Sequence, residues 1–237
     1  MTRRRWIADE VTQNRAALTG PHAEHLARVL RAQVGQEFDI ATGSAIRRGR
    51  ITSISDTRVE FELAEAISAA TLPDLTLLLA IFKFDRMEWA IEKATELGVR
   101  RIVPVIARRT DAHLASAANK RFDRWQRLTH QASEQSRRPA TPELASPIKV
   151  SEAVAISATT RILLAETETQ HKLLDRLESH QPEASLALAI GPEGGWSPDE
   201  ITTFTTAGFL PASLGPTILR AETAAIAAVA IALSQLT

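Results

Sequence analysis

The stretch LALAIGPEGGWSPDEI, residues 186–201, combines three patterns that together predict the fold of this chain. Five consecutive apolar residues, 186–190, are typical of a strand that is covered on both faces of a parallel sheet. The glycine-rich segment 191–196 follows directly. A helix is predicted after Ser197, because Pro and Glu200 stand at the positions that open and cap a helix. A strand, a loop and a helix in this order indicate an α/β unit.

The same alternation of strand and helix patterns extends to both sides of this stretch. Residues 75–82 form another almost uninterrupted apolar run, and the next helix carries an apolar stripe over 87–97 and ends at Gly98. Asp85 and Glu88 form a cap-like pair at its start. Further strands are predicted near 102–107, 148–150 and 162–165, and a long basic helix near 119–136. This order predicts an α/β domain with a mostly parallel sheet.

The first 66 residues show a different pattern, typical of a small β-rich unit. Val59, Phe61 and Leu63 alternate with glutamates, as in a strand with one buried face. One helix is predicted over 22–31, and the small residues that precede a proline predict a linker over 66–73. We therefore divide the chain into a β-rich domain over 1–70 and an α/β domain over 74–237.

Composition and local sequence exclude several classes of protein. The chain has no cysteine, which excludes disulfide frameworks, thiolate nucleophiles and cysteine-based zinc sites. His22 and His25 are three residues apart on a predicted helix, but no third ligand stands at metal spacing, so no metal site is expected. Residues 1–6 lack the apolar run of a signal peptide, and residues 224–233 are too few to span a bilayer. We expect a soluble cytoplasmic protein.

Charge is unevenly distributed along a chain whose formal net charge is zero. Residues 100–138 contain ten lysines and arginines but three aspartates and glutamates. Such a local excess can form a phosphate-binding face, because steering and counterion release depend on the local field rather than on the net charge. Arginines in this arrangement are equally typical of a solvated helix surface, and both interpretations stay open.

Two loops in the second half carry the features of a ligand site. The first is the segment 191–196, which follows the carboxyl end of a predicted parallel strand, where open α/β sheets bind ligands. Its glycines let the backbone approach a ligand closely. The chain lacks the glycine motifs of dinucleotide, nucleotide-triphosphate and hydrolase sites, so those functions lose their support. A turn that merely needs positive φ angles is the alternative interpretation of this loop.

The second loop, LGPTILRAETA at 214–224, leads into the final helix. It places Arg220, Glu222 and Thr223 together at the start of that helix. A cap at the positive end of the helix dipole explains Glu222 and Thr223 but not Arg220, which is therefore a functional candidate. The helix itself, 221–236, is apolar around most of its circumference, so it must be buried inside the domain or at a subunit interface. We infer a homo-oligomer.

Together, GPEGGWSPDEI and LGPTILRAETA resemble the paired cofactor loops of the ribosomal-RNA N3-methyluridine methyltransferase family in the SPOUT superfamily. The motifs KFDRMEWAIEKATELGV, SEQSRRPATPEL, LLAET and HLARVLRAQVGQ also resemble that family in order and spacing, so the resemblance covers the whole chain. It implies an α/β fold: a trefoil-knotted SPOUT methyltransferase domain with a parallel sheet, preceded by a small PUA-like β-barrel domain that grips RNA. It also implies a homodimer with its pockets near the subunit boundary.

The resemblance further implies S-adenosylmethionine (SAM) as the cofactor and a set of residues that contact it. These residues are Leu164, Glu166, Gly191, Gly194, Gly195, Leu214, Gly215, Ile218, Leu219, Thr223 and Ala224. The implied substrate is a uridine in small-subunit (16S) ribosomal RNA, free or within the 30S particle. SAM carries an electrophilic methyl group already, so the reaction needs no metal.

Within this resemblance, Arg220 is the residue expected to stabilise the uracil anion that forms when the N3 proton leaves, and Glu222 is expected to orient Arg220 or to assist proton removal. RNA phosphates are expected to contact nine arginines. These are Arg3, Arg4, Arg5, Arg28, Arg31, Arg108, Arg109, Arg137 and Arg138. Two alternatives remain open: an RNA ribose 2′-O-methyltransferase of the same superfamily, and a non-catalytic RNA-binding protein.

Overall fold

The computed structural model describes residues 5–43, 45–68, 72–181 and 183–236. The chain forms two compact units. The first comprises Met1–Thr71 and Ser133–Thr141, and the second comprises Leu72–Ala132 and Pro142–Thr237. Arg3 and Arg4, which we predicted to bind RNA, lie outside the described residues.

The first unit contains a six-stranded sheet in the order β1-β4-β5-β6-β3-β2. Its elements are β1 (Arg5–Ile7), β2 (Glu10–Val11), β3 (Arg15–Thr19), α1 (Gly20–Glu24), a π-helical turn (His25–Val29), β4 (Glu37–Ala41), β5 (Ile46–Ile54) and β6 (Arg58–Ser68). All strand pairs are antiparallel except β1 with β4. Val59, Phe61 and Leu63 of β6 are buried in the core of this unit, which confirms the predicted alternation.

Two expectations for this unit were wrong in detail. The single helix predicted over 22–31 is instead α1 followed by the π-helical turn, in which Leu30 N–H donates to the His25 carbonyl five residues earlier. A π turn is wider than an α turn, so the predicted apolar face is not kept and Val29 is 65% exposed. The predicted linker 66–73 begins too early, because β6 pairs with β5 as far as Ser68.

The second unit contains a parallel sheet in the order β10-β8-β7-β12-β11-β13, and β9 pairs with β8. Its strands are β7 (Leu75–Ala80), β8 (Arg101–Ile106), β9 (Glu143–Leu144), β10 (Ile148–Lys149), β11 (Thr160–Leu164), β12 (Leu186–Ile190) and β13 (Leu210–Ala212). Its helices are α2 (Phe84–Leu97), α3 (Ala112–Gln135), α4 (Val150–Ala153), α5 (Leu173–Leu177), α6 (Pro198–Thr206) and α7 (Ala221–Leu236). Every residue of β12 is buried between β7 and β11, as its continuous apolar run predicts. These strands and helices confirm the predicted α/β class.

Helix α2 ends as predicted and begins differently. Gly98 adopts the left-handed conformation with φ 119° and terminates the helix. The predicted pair of Asp85 and Glu88 is wrong as a cap, because the N-cap residue is Lys83, which forms no side-chain cap bond. The Glu88 carboxylate instead accepts a hydrogen bond from Arg124 Nε of α3 at 2.8 Å. The Glu88 carboxylate therefore pairs with a residue of another helix and does not cap its own helix.

Helix α3 begins at Ala112, seven residues before the predicted start at 119. The Asp111 carbonyl accepts the N–H groups of Leu114 and Ala115 and so opens the helix. Leu114 and Ala118 are buried in the core of the second unit. The two additional turns contain too few apolar residues to show a helical period in the sequence, and the predicted start is therefore too late.

Helix α6 carries the predicted capping box. Ser197 Oγ accepts from Glu200 N–H at 3.3 Å, and Glu200 Oε2 accepts from Ser197 N–H at 2.8 Å. Glu200 Oε1 also accepts from the Arg108 N–H at 2.7 Å, so the same carboxylate connects α6 to the loop after β8. The cap therefore fixes the point at which the chain leaves the glycine-rich segment 191–196, which we call the glycine loop.

We expect Ser197→Ala to lower the free energy of unfolding by about 1 kcal/mol, because the first turn of α6 loses its side-chain acceptor. Urea unfolding monitored by circular dichroism measures the change. Ser234→Ala, at an exposed site near the end of α7, is the matched control and should change the free energy by less than about 0.5 kcal/mol. Equal effects of the two substitutions would contradict the role of the cap.

Helix α7 buries one face and leaves apolar side chains on its other side. The buried face includes Ala225, Ala228, Val229 and Leu233 and packs against α2 and the sheet. Ile226 and other apolar residues on the opposite side remain partly exposed. No helix in the described part of the chain is both long and apolar enough to cross a membrane.

Candidate functional site

One cavity of about 240 Å³ lies at the carboxyl ends of β11, β12 and β13 in the second unit. The glycine loop forms one wall, and the segment 212–219, together with the start of α7, forms another. Of the eleven residues that we predicted to contact a cofactor, nine line this cavity. They are Leu164, Glu166, Gly191, Gly195, Leu214, Gly215, Ile218, Leu219 and Ala224. The carboxyl ends of neighbouring parallel strands thus bring two loops that are distant in sequence to one place.

The glycine loop is shaped by contacts that exclude side chains. Gly195 has φ 68°, and a Cβ atom there would lie 2.8 Å from Oε1 of Glu166. A Cβ atom on Gly191 would lie 3.2 Å from the ring of Trp196, which is buried beneath the loop. Gly195 N–H closes the turn by donating to the Pro192 carbonyl at 2.8 Å. Close packing therefore favours glycine at both positions, and at Gly195 the positive φ favours it as well.

Gly215 lies in the opposite wall and differs from these two glycines. Its φ is 131°, and a Cβ atom there would meet no protein atom within 4 Å. Gly215 also lines the cavity. Gly194 and Thr223, the two other predicted contacts, are exposed and do not line the cavity.

Arg109 contacts the glycine loop, although the sequence pointed to RNA phosphates as its partner. Its Nη1 donates to the Gly194 carbonyl at 2.6 Å and to the Trp196 carbonyl at 3.4 Å. A Cβ atom on Gly194 would lie 3.4 Å from Cδ of Arg109, so the side chain packs along the loop. Arg109 itself is exposed and lines the cavity. It is placed to hold the loop and to present its other N–H groups to an anion.

The two residues predicted to act in catalysis lie in different surroundings. Arg220 is exposed, and its neighbours Leu219 and Ala221 line the cavity, so Arg220 stands at the rim. Glu222 is 4% exposed, and its Oε1 lies 3.8 Å from Nε of Arg86 on α2. The carboxylate that we expected to orient Arg220 therefore lies against Arg86.

Arg86 was not predicted as a site residue. Its Nη1 also donates to Oε1 of Glu193 in the glycine loop at 3.3 Å. Arg86 and Glu193 are 107 positions apart in sequence. The sequence pattern of α2 does not indicate a contact over such a distance along the chain. The motif KFDRMEW, used only for the resemblance, contains this residue.

The predicted RNA-binding arginines of the second unit are Arg108 and Arg109. Arg108 has a side chain that is 70% exposed, and its Nη1 pairs with Oδ2 of Asp199 at 2.8 Å. An exposed pair of this kind contributes little to stability and is easily exchanged for another anion. Both arginines belong to the loop that follows β8.

The predicted RNA-binding arginines of the first unit differ in whether their side chains are free to contact a phosphate or already form ion pairs. Arg28 is exposed but pairs with Asp56 at 2.7 Å and with Glu24 at 3.0 Å, and the contact with Asp56 raises its pKa. Arg31 and Arg137 are exposed and adopt positive φ angles of 50° and 57°.

Two further arginines of this unit are tied to the main chain. Arg5 Nη1 donates to the carbonyl of Arg137. Arg138 is 4% exposed, its Nε donates to the Ala140 carbonyl at 3.1 Å, and burial lowers its pKa to about 10. The side chain of Arg138 is thus an internal one, in contrast to the surface position expected of a phosphate-binding residue.

The histidine pair considered for a metal is set in an acidic and aromatic environment within the first unit. Nε2 of His22 lies 3.4 Å from Oε1 of Glu134, and its Nδ1 lies 3.7 Å from Oδ1 of Asp9. The contact with Glu134 raises the pKa of His22. The rings of His22 and His25 both pack at an angle against Trp6.

The parallel sheet and the cavity at its strand ends correspond to a known class of domain. A family model described as an RNA methyltransferase domain matches residues 70–233, and one described as an RNA methyltransferase PUA domain matches residues 18–64. The class is therefore that of RNA methyltransferases with an N-terminal PUA domain, which confirms the fold implied by the resemblance.

Whole-chain similarity identifies the family within this class. The ribosomal RNA small subunit methyltransferase E of Synechocystis sp. is 33% identical over 228 residues, which cover 94% of this chain and 74% of that protein. The Mycobacterium bovis protein of the same name is 31% identical over 90% of this chain and 84% of that protein. This chain belongs to the ribosomal RNA small subunit methyltransferase E family.

Solved structures extend the similarity to three dimensions. The ribosomal RNA small subunit methyltransferase E of Neisseria gonorrhoeae, solved bound to S-adenosylmethionine, matches with TM-score 0.81 and 29% identity over 97% of this chain and 96% of that chain. A Legionella pneumophila protein solved in complex with the cofactor SAM matches with TM-score 0.82 and 28% identity over 99% of this chain and 98% of that chain.

Proposed function

We propose that this protein is a SAM-dependent methyltransferase that methylates N3 of one uridine in small-subunit ribosomal RNA. The observation that carries the proposal is the cavity between the glycine loop and the segment 212–219, which collects nine of the predicted cofactor contacts at the ends of three parallel strands. Similar proteins of known structure were solved with SAM bound, which supports the same cofactor here.

The residues around the cavity fit such a cofactor. The carboxylate of Glu166 lines the cavity and can accept hydrogen bonds from hydroxyl or ammonium groups. Backbone at Gly215 borders space that no protein atom fills. Apolar side chains of Leu164, Leu214 and Leu219 complete the lining and suit an adenine ring. When bound, SAM supplies a methyl group on a positively charged sulfur, which makes that methyl electrophilic.

In the proposed reaction, N3 of uracil would attack the methyl carbon of SAM while its proton passes to water, and the methyl–sulfur bond would break to release S-adenosylhomocysteine. Arg220 at the rim is our candidate for stabilising the negative charge that develops on the uracil ring. Glu222 is buried against Arg86, so we assign to it a structural part at the start of α7. The target base must leave its stacked position to reach the cavity, and surrounding arginines then hold the RNA backbone.

We further propose that the enzyme acts as a homodimer in the cytoplasm, where ribosomes are assembled, on free ribosomal RNA or on the 30S particle. The partly exposed apolar side of α7 supports a subunit interface, because a helix that is apolar all round needs cover on both sides. The PUA domain of the first unit and its exposed arginines support an RNA-binding role. Light scattering gives the oligomeric state directly.

Among the exposed arginines, Arg137 is expected to contact an RNA phosphate. We expect Arg137→Ala to lower the slope of log affinity against log salt concentration by about one, because each phosphate contact releases about one counterion. Arg100→Ala is the matched control, since Arg100 is also exposed and pairs with Asp74 at 3.7 Å. Fluorescence anisotropy with labelled ribosomal RNA measures both slopes, and equal slopes would make Arg137 a solvated surface residue.

An RNA ribose methyltransferase is the second candidate, because the resemblance to the SPOUT superfamily covers enzymes that share the fold and the cofactor. Mapping of ribosomal RNA modifications in a strain that lacks this gene distinguishes the two. We expect one N3-methyluridine in small-subunit RNA to disappear and to return when the gene is restored. Loss of a 2′-O-methyl group instead would overturn the base-methylation assignment.

A further inference from the structure

Arg86 connects two elements that are far apart in sequence. Its Nη1 donates to Glu193 Oε1 in the glycine loop at 3.3 Å, and its Nε lies 3.8 Å from Glu222 Oε1 in the first turn of α7. Arg86 itself lies in the first turn of α2, which packs against α7. A guanidinium with donors on separate nitrogens is suited to holding two carboxylates at once, which an ammonium does less well.

The carboxylate of Glu222 needs this partner more than that of Glu193 does. The Glu222 side chain is 5% exposed, whereas that of Glu193 is 35% exposed. Among the described residues, Arg86 supplies the one ion pair of Glu222, whose Oε2 is buried and has no hydrogen-bond partner there. A buried carboxylate that loses its cation is strongly unfavourable, so Arg86 stabilises Glu222 in its buried position.

Both carboxylates belong to walls of the cavity. Glu193 lines the cavity directly, and Ala221 and Ala224 on the first turn of α7 line it from the other side. The side chain of Glu222 points away from the lining, toward α2. Arg86 therefore joins residues that belong to the two opposite sides of the cavity.

We propose that Arg86 is a positioning residue that holds the glycine loop and the first turn of α7 at the separation the ligand needs. Arg86 does this without touching the ligand, since it does not line the cavity. The proposal rests on the proposed function for the identity of the ligand, SAM. The geometric part, in which Arg86 couples Glu193 to Glu222, can be tested without any ligand.

The experiment uses the full chain labelled with 5-fluorotryptophan and four variants: Arg86→Gln, Arg86→Lys, Glu222→Gln and Arg86→Gln combined with Glu222→Gln. Trp196 ends the glycine loop and reports on it, while Trp6 of the first unit is the internal reference. Fluorine NMR spectra, melting temperatures and SAM affinities are measured for each variant. Arg100→Gln serves as a control for the loss of an exposed arginine.

We expect Arg86→Gln to shift or broaden the Trp196 resonance without moving that of Trp6, and to weaken SAM binding about tenfold, equivalent to about 1.4 kcal/mol. Arg86→Lys should be intermediate in both. The double variant should lose less in melting temperature than the sum of the two single variants, because Glu222→Gln removes the charge that Arg86 compensates. Arg100→Gln should match the wild type.

Two results separate the proposals. Additive losses in melting temperature together with an unmoved Trp196 resonance would overturn the role of Arg86, whatever the ligand. Wild-type protein that fails to bind SAM, with the Trp196 shift and the coupling intact, would overturn the proposed function and leave the link between the two walls standing.

Discussion

Arg220→Lys is expected to lower the rate of methyl transfer by about a hundredfold or more and to leave SAM affinity almost unchanged. Arg220 is exposed at the rim of the cavity and does not line it, so its removal takes nothing from the cofactor walls. The guanidinium acts on charge that appears on uracil only as the N3 proton leaves, and an interaction made only in the transition state affects kcat rather than binding. Lysine keeps the charge but loses the planar fork of donors.

Single-turnover methyl transfer at saturating RNA measures the rate, and calorimetry measures the SAM affinity of the same preparation. Arg161→Lys, at a residue of β11 whose guanidinium packs over the ring of Phe209, controls for a change of arginine elsewhere in the unit. A loss of SAM affinity in proportion to the rate would make Arg220 a cofactor-binding residue. A normal rate of methyl transfer would show that Arg220 does not stabilise the uracil anion.

Gly215→Val is expected to weaken SAM binding about a hundredfold, or about 2.8 kcal/mol. Two effects add. The φ of 131° is strained for any residue with a Cβ atom, and the new side chain enters space beside the cavity that no protein atom fills. At Gly215 the wall is therefore predicted to approach a ligand with backbone atoms alone, while Leu214 and Leu219 contribute their side chains.

Gly43→Val separates these two effects. Gly43 in the first unit has φ 86° and, like Gly215, no atom within 4 Å of a Cβ position, but it does not line the cavity. Both variants should lose melting temperature through backbone strain, and only Gly215→Val should lose SAM affinity in calorimetry. Equal affinities in the two variants would remove Gly215 from the cofactor site.

The second unit was largely predictable because its strands are covered on both faces. A short apolar run such as 186–190, followed at once by glycines, is typical of a strand in the middle of a parallel sheet, and Ser197 with Glu200 marks the next helix by local chemistry alone. Since β11, β12 and β13 are neighbours in one parallel sheet, the loops after them had to meet. Most of the predicted cofactor contacts came together for that reason.

The parts that sequence reasoning missed depend on long-range contacts. Glu88 looked like a cap and instead binds Arg124 of another helix. Arg138 looked like a surface cation and is buried, where the Ala140 carbonyl accepts from its Nε. Local periodicity carries no information about such partners, because the partner belongs to a different element or to a turn that forms only in the folded chain.

Glu222 shows the same limit at the site itself. The pattern Arg220-Ala-Glu222 suggested a pair acting together, yet Arg220 precedes α7 and Glu222 lies in its first turn, where it faces Arg86 of α2. The structure turns Glu222 toward Arg86 and leaves Arg220 at the rim. The contrast between a buried Glu222 and an exposed Arg220 became visible only with the packing of α2 against α7.

Transfer of a methyl group from SAM to N3 of a uridine in small-subunit ribosomal RNA can be measured on the purified protein. The most direct measurement incubates the purified protein with methyl-labelled SAM and with 30S particles or ribosomal RNA that lack the modification, followed by nucleoside mass spectrometry. We predict label in 3-methyluridine with the wild type and far less with Arg220→Lys. Label in a 2′-O-methyl nucleoside, or no label with either substrate, would rule out methylation of uridine N3 by this protein.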